Sequence, residues 1–217
     1  MNGIFVTGTD TDIGKTIVSA ILCASLRHSA KPFAYFKPIQ TGMDEDCKTL
    51  RFLARLSDSE IENPIYYFPE PLSPDRAAAL NGKTIQISKI VERFHELPAE
   101  KFYVVEGAGG VMVPIHPEFK MRDLMAALKI PALVVASTRL GTINHTLLTL
   151  EALAHAKVNV CGIVLNGPED PVLKKTIEHH SRTRVIAEVP HFNEISPERI
   201  DSFCGAFNKT IHWEAFA

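Results

Sequence analysis

The segment Gly8-Thr-Asp-Thr-Asp-Ile-Gly14-Lys15-Thr16 carries the strongest chemical signal in the chain. Glycines let a backbone turn its N–H groups inward onto an anion, a helix starting at the lysine adds a partial positive charge, and the lysine adds a full one. The Thr16 hydroxyl can face Mg2+, so the segment reads as a triphosphate site. It is a variant of G-x-x-x-x-G-K-[ST], with five residues between Gly8 and Gly14 and Thr9 where the first glycine is expected. The plain alternative is a glycine-rich turn with an exposed lysine. The G-K-T between an apolar run and a helical pattern favours phosphate.

Further segments add charge at the ends of apolar runs. In Phe36-Lys37-Pro38-Ile39-Gln40-Thr41-Gly42, Pro38 fixes the chain direction and aims the Lys37 ammonium toward the same sheet edge. Alone, Lys37 is a solvated strand-end lysine; beside the first loop it is a second cation suited to phosphoryl transfer. Its side chain is expected to end in a wet cleft, so that Lys37→Ala lowers kcat with little loss of fold. Glu106 ends the run Phe102–Glu106, where burial demands a compensating cation, most simply Mg2+. Gly107-Ala108-Gly109-Gly110 then permits close backbone approach without forming a dinucleotide fingerprint. The cluster Asp44-Glu45-Asp46 reads equally as solvated charge, helix cap or metal ligand. Leu140-Gly141-Thr142-Ile143-Asn144-His145 opens a helix whose free N–H groups can take an anion without a lysine, or is a glycine turn capped by Asn144. Asn166-Gly167 by itself is a turn.

These groups need rigid elements behind them. Ile4–Thr7, Phe102–Glu106, Ala132–Ala136 and Val160–Leu165 lack the alternation of half-exposed strands and predict buried parallel ones, with Phe33–Lys37 and Val185–Val189 as weaker members. Helical spacing marks Thr16–Leu26, Lys48–Leu56, Ile90–Glu96, Met121–Leu128, Ile143–His155, Val172–His180 and a last helix over Ser196–Phe207. The alternation predicts an α/β, P-loop-type fold in one domain spanning 1–217, with a mainly parallel sheet, helices on both faces and a ligand at the strand carboxyl ends. Asn63–Asp75, with four prolines, is expected to be an ordered surface excursion without strand or helix.

Composition narrows the function. With 23 Lys and Arg against 25 Asp and Glu in 217 residues, no whole-chain field attracts nucleic acid or an anionic membrane, so neither is expected as a partner. No apolar run approaches a membrane span, the start lacks a secretory pattern, and the four cysteines have no CxxC spacing; a cytoplasmic small-molecule enzyme is expected. None of the nine histidines forms HExxH or a histidine/cysteine cluster in sequence, so no zinc site is expected, and without Gly-x-Ser-x-Gly serine-hydrolase chemistry lacks support. Leu147, Leu148, Leu150 and Leu153 read as core or dimer packing.

In this order, Gly8–Thr16, YFKPIQTG, VVEGAGGVMVPI, TRLGTINH and GIVLNGP resemble the dethiobiotin synthetase family of biotin biosynthesis, from about residue 3 to about residue 167. Cobyric acid synthases and partitioning ATPases share only the first motif or a broader outline. The resemblance implies ATP- and Mg2+-dependent joining of CO2 to 7,8-diaminononanoate, through a carbamate and its mixed anhydride with phosphate. It implies Lys15, Lys37 and Thr11 as the catalytic set, with Thr41 and Asp12 at the substrate. Nucleotide contacts fall on Asp12, Ile13, Gly14, Lys15, Thr16, Ile17, Glu106, Gly107, Gly109, Asn166 at the base, and Pro190. Thr16, Asp46 and Glu106 would hold the metal. Gly141, Thr142, Ile143 and Asn144 would receive the substrate carboxylate across a subunit interface, implying a homodimer.

Two departures stand out. Asp12 replaces the family's usual Glu, shortening its reach by one methylene, and Ala187–Asn193 follows the base-packing Gly-x-(Ile/Leu)-Pro segment only loosely. The second predicts broad use of nucleoside triphosphates. Two rivals are an amidating synthase, for which no extra glutaminase region is present, and a nucleotide switch, for which no basic patch or amphipathic tail is present.

Overall fold

Successive strand side chains point to opposite faces of a sheet, and β1 (Asn2–Gly8) is apolar on both, so it requires cover on both sides. A computed structural model describes residues 2–43, 45–190, 192 and 194–210 and puts β1 at the centre of a seven-stranded sheet. The spatial order is β4 (Ile61–Glu62), β2 (Phe33–Phe36), β6 (Phe102–Gly110), β1, β7 (Ala132–Ser137), β8 (Val160–Asn166), β9 (Val185–Val189). Every pairing in it is parallel.

Helices α1 (Lys15–His28), α2 (Glu45–Leu53) and α8 (Pro197–Thr210) cover the face bearing Ile4, Val6, Tyr35 and Val104. On the other face Phe5, Phe36, Tyr103 and Val105 pack under α3 (Pro74–Leu80), α4 (Ile87–Glu96), α5 (Met121–Leu128), α6 (Thr142–His155) and α7 (Pro171–Ser181). Strand β1 leads toward β2 on one side and β6 leads toward β7 on the other. Their carboxyl ends therefore flank the crevice where α/β folds bind ligands. No helix among the described residues is long and apolar enough to cross a membrane.

Several expectations need correction. Asn63–Asp75 contains a strand, β5 (Tyr66–Phe68), which pairs in parallel with β3 (Ile39–Thr41) in a separate two-stranded sheet. The prolines lie outside these three residues, so the backbone donors that pairing needs are intact. The same segment ends by starting α3, with Pro74 at its first position. Strand β6 does not stop at Glu106 but continues to Gly110, where it pairs with Gly8. A Cβ on Gly107 would come 2.8 Å from the Phe5 ring, so glycine allows this continuation. Strand β2 ends at Phe36, one residue early, because Lys37 precedes a proline and leaves the ladder. Helix α2 starts at Glu45, so Asp46 lies inside its first turn rather than before it. Asp44, His191, Asn193 and the tail from residue 211 lie outside the described residues.

Candidate active site

The register places the charges. Val6 pairs with Glu106, so Glu106 points, like Val104 two residues before it, toward α1. Lys37 lies two residues after Tyr35, whose ring also packs on the α1 side. On α1, Thr16 and Ser19 are three residues apart and share a face. On α2, Asp46 precedes the buried Leu50 by one helical turn, and Leu50 joins the same core cluster as α1.

The result is one network. Thr16 Oγ1 lies 3.1 Å from Asp46 Oδ1 and 3.2 Å from Glu106 Oε1, and Ser19 Oγ donates to Glu106 Oε2 at 2.7 Å. Lys37 Nζ pairs with Asp46 and lies 3.5 Å from Glu106 Oε1. Glu106 is 1% exposed and Lys37 5%, so Lys37, expected to end in a wet cleft, borders the cleft but is itself buried. Its ammonium is the buried counterion of two carboxylates, so its removal must cost stability. Lys15, 8% exposed, donates from Nζ to the Asp10 carbonyl at 3.0 Å.

Burial works against the charge on Lys37, but Glu106 and Asp46 outweigh it and hold its pKa above the ordinary lysine value. Burial likewise pushes Asp46 up, and Lys37, Thr16 and Lys15 outweigh it, leaving the carboxyl below its usual range. Lys15 is lowered, chiefly by burial and further by Lys37, against the pull of Glu106. The stability from Asp46 is therefore present above the ordinary carboxylate range and lost as pH falls through its lowered value. That from Lys37 is present below the ordinary lysine value and lost only as pH rises through its raised one, so both operate at neutral pH.

These residues border a cleft of about 720 Å3, lined by Thr11, Asp12, Ile13, Gly14, Lys15, Thr16, Lys37, Thr41, Asp46, Glu106, Gly107 and Gly109 among others. Asp12 sits at φ 54°, a left-handed conformation that aspartate tolerates better than most residues, and Gly14 at φ 99°. A hydroxyl and two carboxylates meeting within 3.2 Å form a hard oxygen set that fits Mg2+.

Other predicted residues lie elsewhere. Ile17 packs half-buried against the α1-side core. Asn166 sits behind the loop, donating from Nδ2 to the Ile13 carbonyl at 2.9 Å, and Pro190 follows β9 away from the cleft lining. Gly141, Thr142, Ile143 and Asn144 form the start of α6 and do not line this cleft. The lining also includes Pro71, Ser73 and Arg76, which sequence reasoning missed. Their signal was Ser73-Pro74, the serine-then-proline start of a helix. Ser19 was missed too, although it stands one turn after Thr16.

An AAA domain family matches residues 2–199. The ATP-dependent dethiobiotin synthetase BioD of Paramagnetospirillum magneticum is 46% identical over 87% of this chain and 88% of its own length. That of Brucella ovis is 37% identical over 99% and 96%. Among solved structures, a ParA family ATPase from Chlorobium tepidum superposes with a TM-score of 0.61 at 12% identity, over 96% of this chain and 95% of that one, a likeness of fold alone. With that extent of identity to named relatives, this chain belongs to the dethiobiotin synthetase family.

Proposed function

We propose that this protein makes dethiobiotin from 7,8-diaminononanoate, CO2 and ATP. The observation that carries the reading is the meeting of Lys15, Lys37, Thr16, Asp46 and Glu106, from four segments, at one cleft. One amine adds CO2 and releases a proton, giving a carbamate. A carbamate oxygen then attacks the γ-phosphorus and ADP leaves. The second amine attacks the carbamoyl carbon, phosphate departs with its electron pair, the attacking nitrogen gives up its proton to the departing phosphate or solvent, and the urea ring closes. The carbamate is already an anionic nucleophile, so the chain supplies position and charge rather than a strong base.

Lys15 and Lys37 stabilise negative charge on the transferring group and the carbamate, Thr11 and Asp12 face the diamine, and Thr41 binds at the carbamate end. Gly14 to Ile17, Gly107 and Gly109 surround the nucleotide, with Asn166 and Pro190 toward the base. Mg2+, held by Thr16, Asp46 and Glu106, would neutralise charge on the triphosphate. The substrate carboxylate goes to the Gly141–Asn144 turn of a second subunit. This is supported by the turn's position outside the cleft and by the exposed Leu140 and Leu148 beside it. ATP and CO2, the latter in equilibrium with bicarbonate, suit the cytoplasm.

The test is phosphate release. It should require diaminononanoate and bicarbonate together, with dethiobiotin identified by mass; release with ATP alone would make the protein a different ATPase. One Asn166 amide hydrogen is engaged by the loop, which supports weak base selection. ATP, GTP and CTP at equal concentration should give rates within about tenfold of one another, and strict ATP dependence would overturn that expectation.

A further inference from the structure

A second polar cluster lies at the other end of α1, about 18 Å along the helix from Thr16 at 1.5 Å per residue. Ser25 and His28 are three residues apart on α1, and Asp201 and Cys204 are three apart on α8, so each of two packed helices presents a pair to the other. His28 Nε2 lies 3.5 Å from Asp201 Oδ1, and the possible ligand atoms of His28, Asp201 and Cys204 all lie within 4.8 Å of one another.

Cys204 is a free thiol, 2% exposed, donating to the Ile200 carbonyl at 3.3 Å. Ser25 is fully buried beside it, with its hydroxyl within hydrogen-bonding reach of the thiol. Asp201 Oδ2 accepts from Arg55 Nη1 at 2.7 Å, and Arg55 is itself paired with Glu198 at 2.6 Å. Asp201 Oδ1 is left facing the histidine. None of these groups belongs to the ATP cleft.

We propose that His28, Asp201 and Cys204 bind Zn2+ or a similar borderline cation that clamps α8 to the end of α1. A mixed sulfur, nitrogen and oxygen set selects such ions over Mg2+ and Ca2+, and three protein ligands leave a fourth position for water or the Ser25 hydroxyl. Ligands around tetrahedral zinc stand about 3.5 Å apart. The three atoms now lie within 4.8 Å of one another, so the set must draw in on binding, and His28, about half exposed at the last position of α1, is the ligand with the most room to move. On binding, Cys204 gives its proton to solvent and the thiolate takes the metal, with no change of oxidation state.

Chelator-treated full-length protein is titrated with ZnCl2 in excess Mg2+, which keeps zinc from the Thr16, Asp46 and Glu106 oxygens. A parallel titration with CoCl2 reads the thiolate-to-cobalt charge-transfer band. The expected result is one equivalent bound with that band present, and a zinc-dependent rise in Tm. His28→Ala, at an exposed position, should weaken zinc at least tenfold and abolish the rise in Tm, and Cys204→Ser should remove the band. Absence of the band in the unaltered protein, or equal zinc affinity in it and His28→Ala, would overturn the proposal.

Discussion

Two neighbouring strands of this sheet hand over to helices through the same local device. After β1, Gly14 at φ 99° precedes the fourteen-residue α1; after β7, Gly141 at φ 95° precedes the fourteen-residue α6. Both helix starts offer unsatisfied N–H groups to an anion. Their surroundings differ. Around Gly14 stand two lysines, two carboxylates and the Thr16 and Ser19 hydroxyls, while Gly141 is exposed and its turn lies outside the cleft. A Cβ on Gly14 would come 2.1 Å from Asn166 Nδ2; on Gly141 the nearest atom is His145 Cε1 at 3.9 Å. A helix start can hold an anion by itself, but phosphoryl transfer needs charge delivered by other strands.

Lys37→Ala should show the largest effect, because it strips the first turn of a delivered charge. A fall in kcat of about a thousandfold is expected, together with a loss of about 3 kcal/mol of stability from the uncompensated carboxylates. Added Mg2+ should restore much of the Tm without restoring kcat. Steady-state phosphate release and melts with and without Mg2+ check this; an unchanged melt would mean that Glu106 is compensated elsewhere.

Gly14→Ala combines left-handed strain with the clash against Asn166 and should weaken ATP at least about a hundredfold by calorimetry. Unaltered affinity would detach the loop from the nucleotide. Glu106→Gln keeps the shape and removes the charge, so the Mg2+ concentration for half-maximal rate should rise about tenfold. An unshifted Mg2+ curve would make that carboxylate structural. Gly141→Ala closes the series: strain alone, without a clash, costs about 1 kcal/mol, or a Tm drop of about 2–4 °C. A loss of ATP affinity in Gly141→Ala as large as that of Gly14→Ala would erase the contrast between the two turns.

The strand runs were legible because full burial removes the need for polar residues, and Ile4–Thr7 or Ala132–Ala136 show it in a few letters. The loop Gly8–Thr16 was legible because its chemistry is contiguous. Tyr66–Phe68 was obscured by flanking prolines that the pairing never uses. Ser19 was hidden because a serine on a helix says nothing about which strand it will face, and the burial of Lys37 was hidden because its partners come from residues 46 and 106.

Local spacing by itself determined the alternation of elements, the phosphate-binding turn and the identities of the charged residues, since these depend on backbone propensity and on neighbours within a helical turn. Only the folded sheet decided which charges meet. Parallel pairing sets Glu106 beside Val6, and packing of α2 on α1 brings Asp46 to Thr16. Contacts across thirty to ninety residues of chain are fixed by strand order and register, which no local pattern encodes.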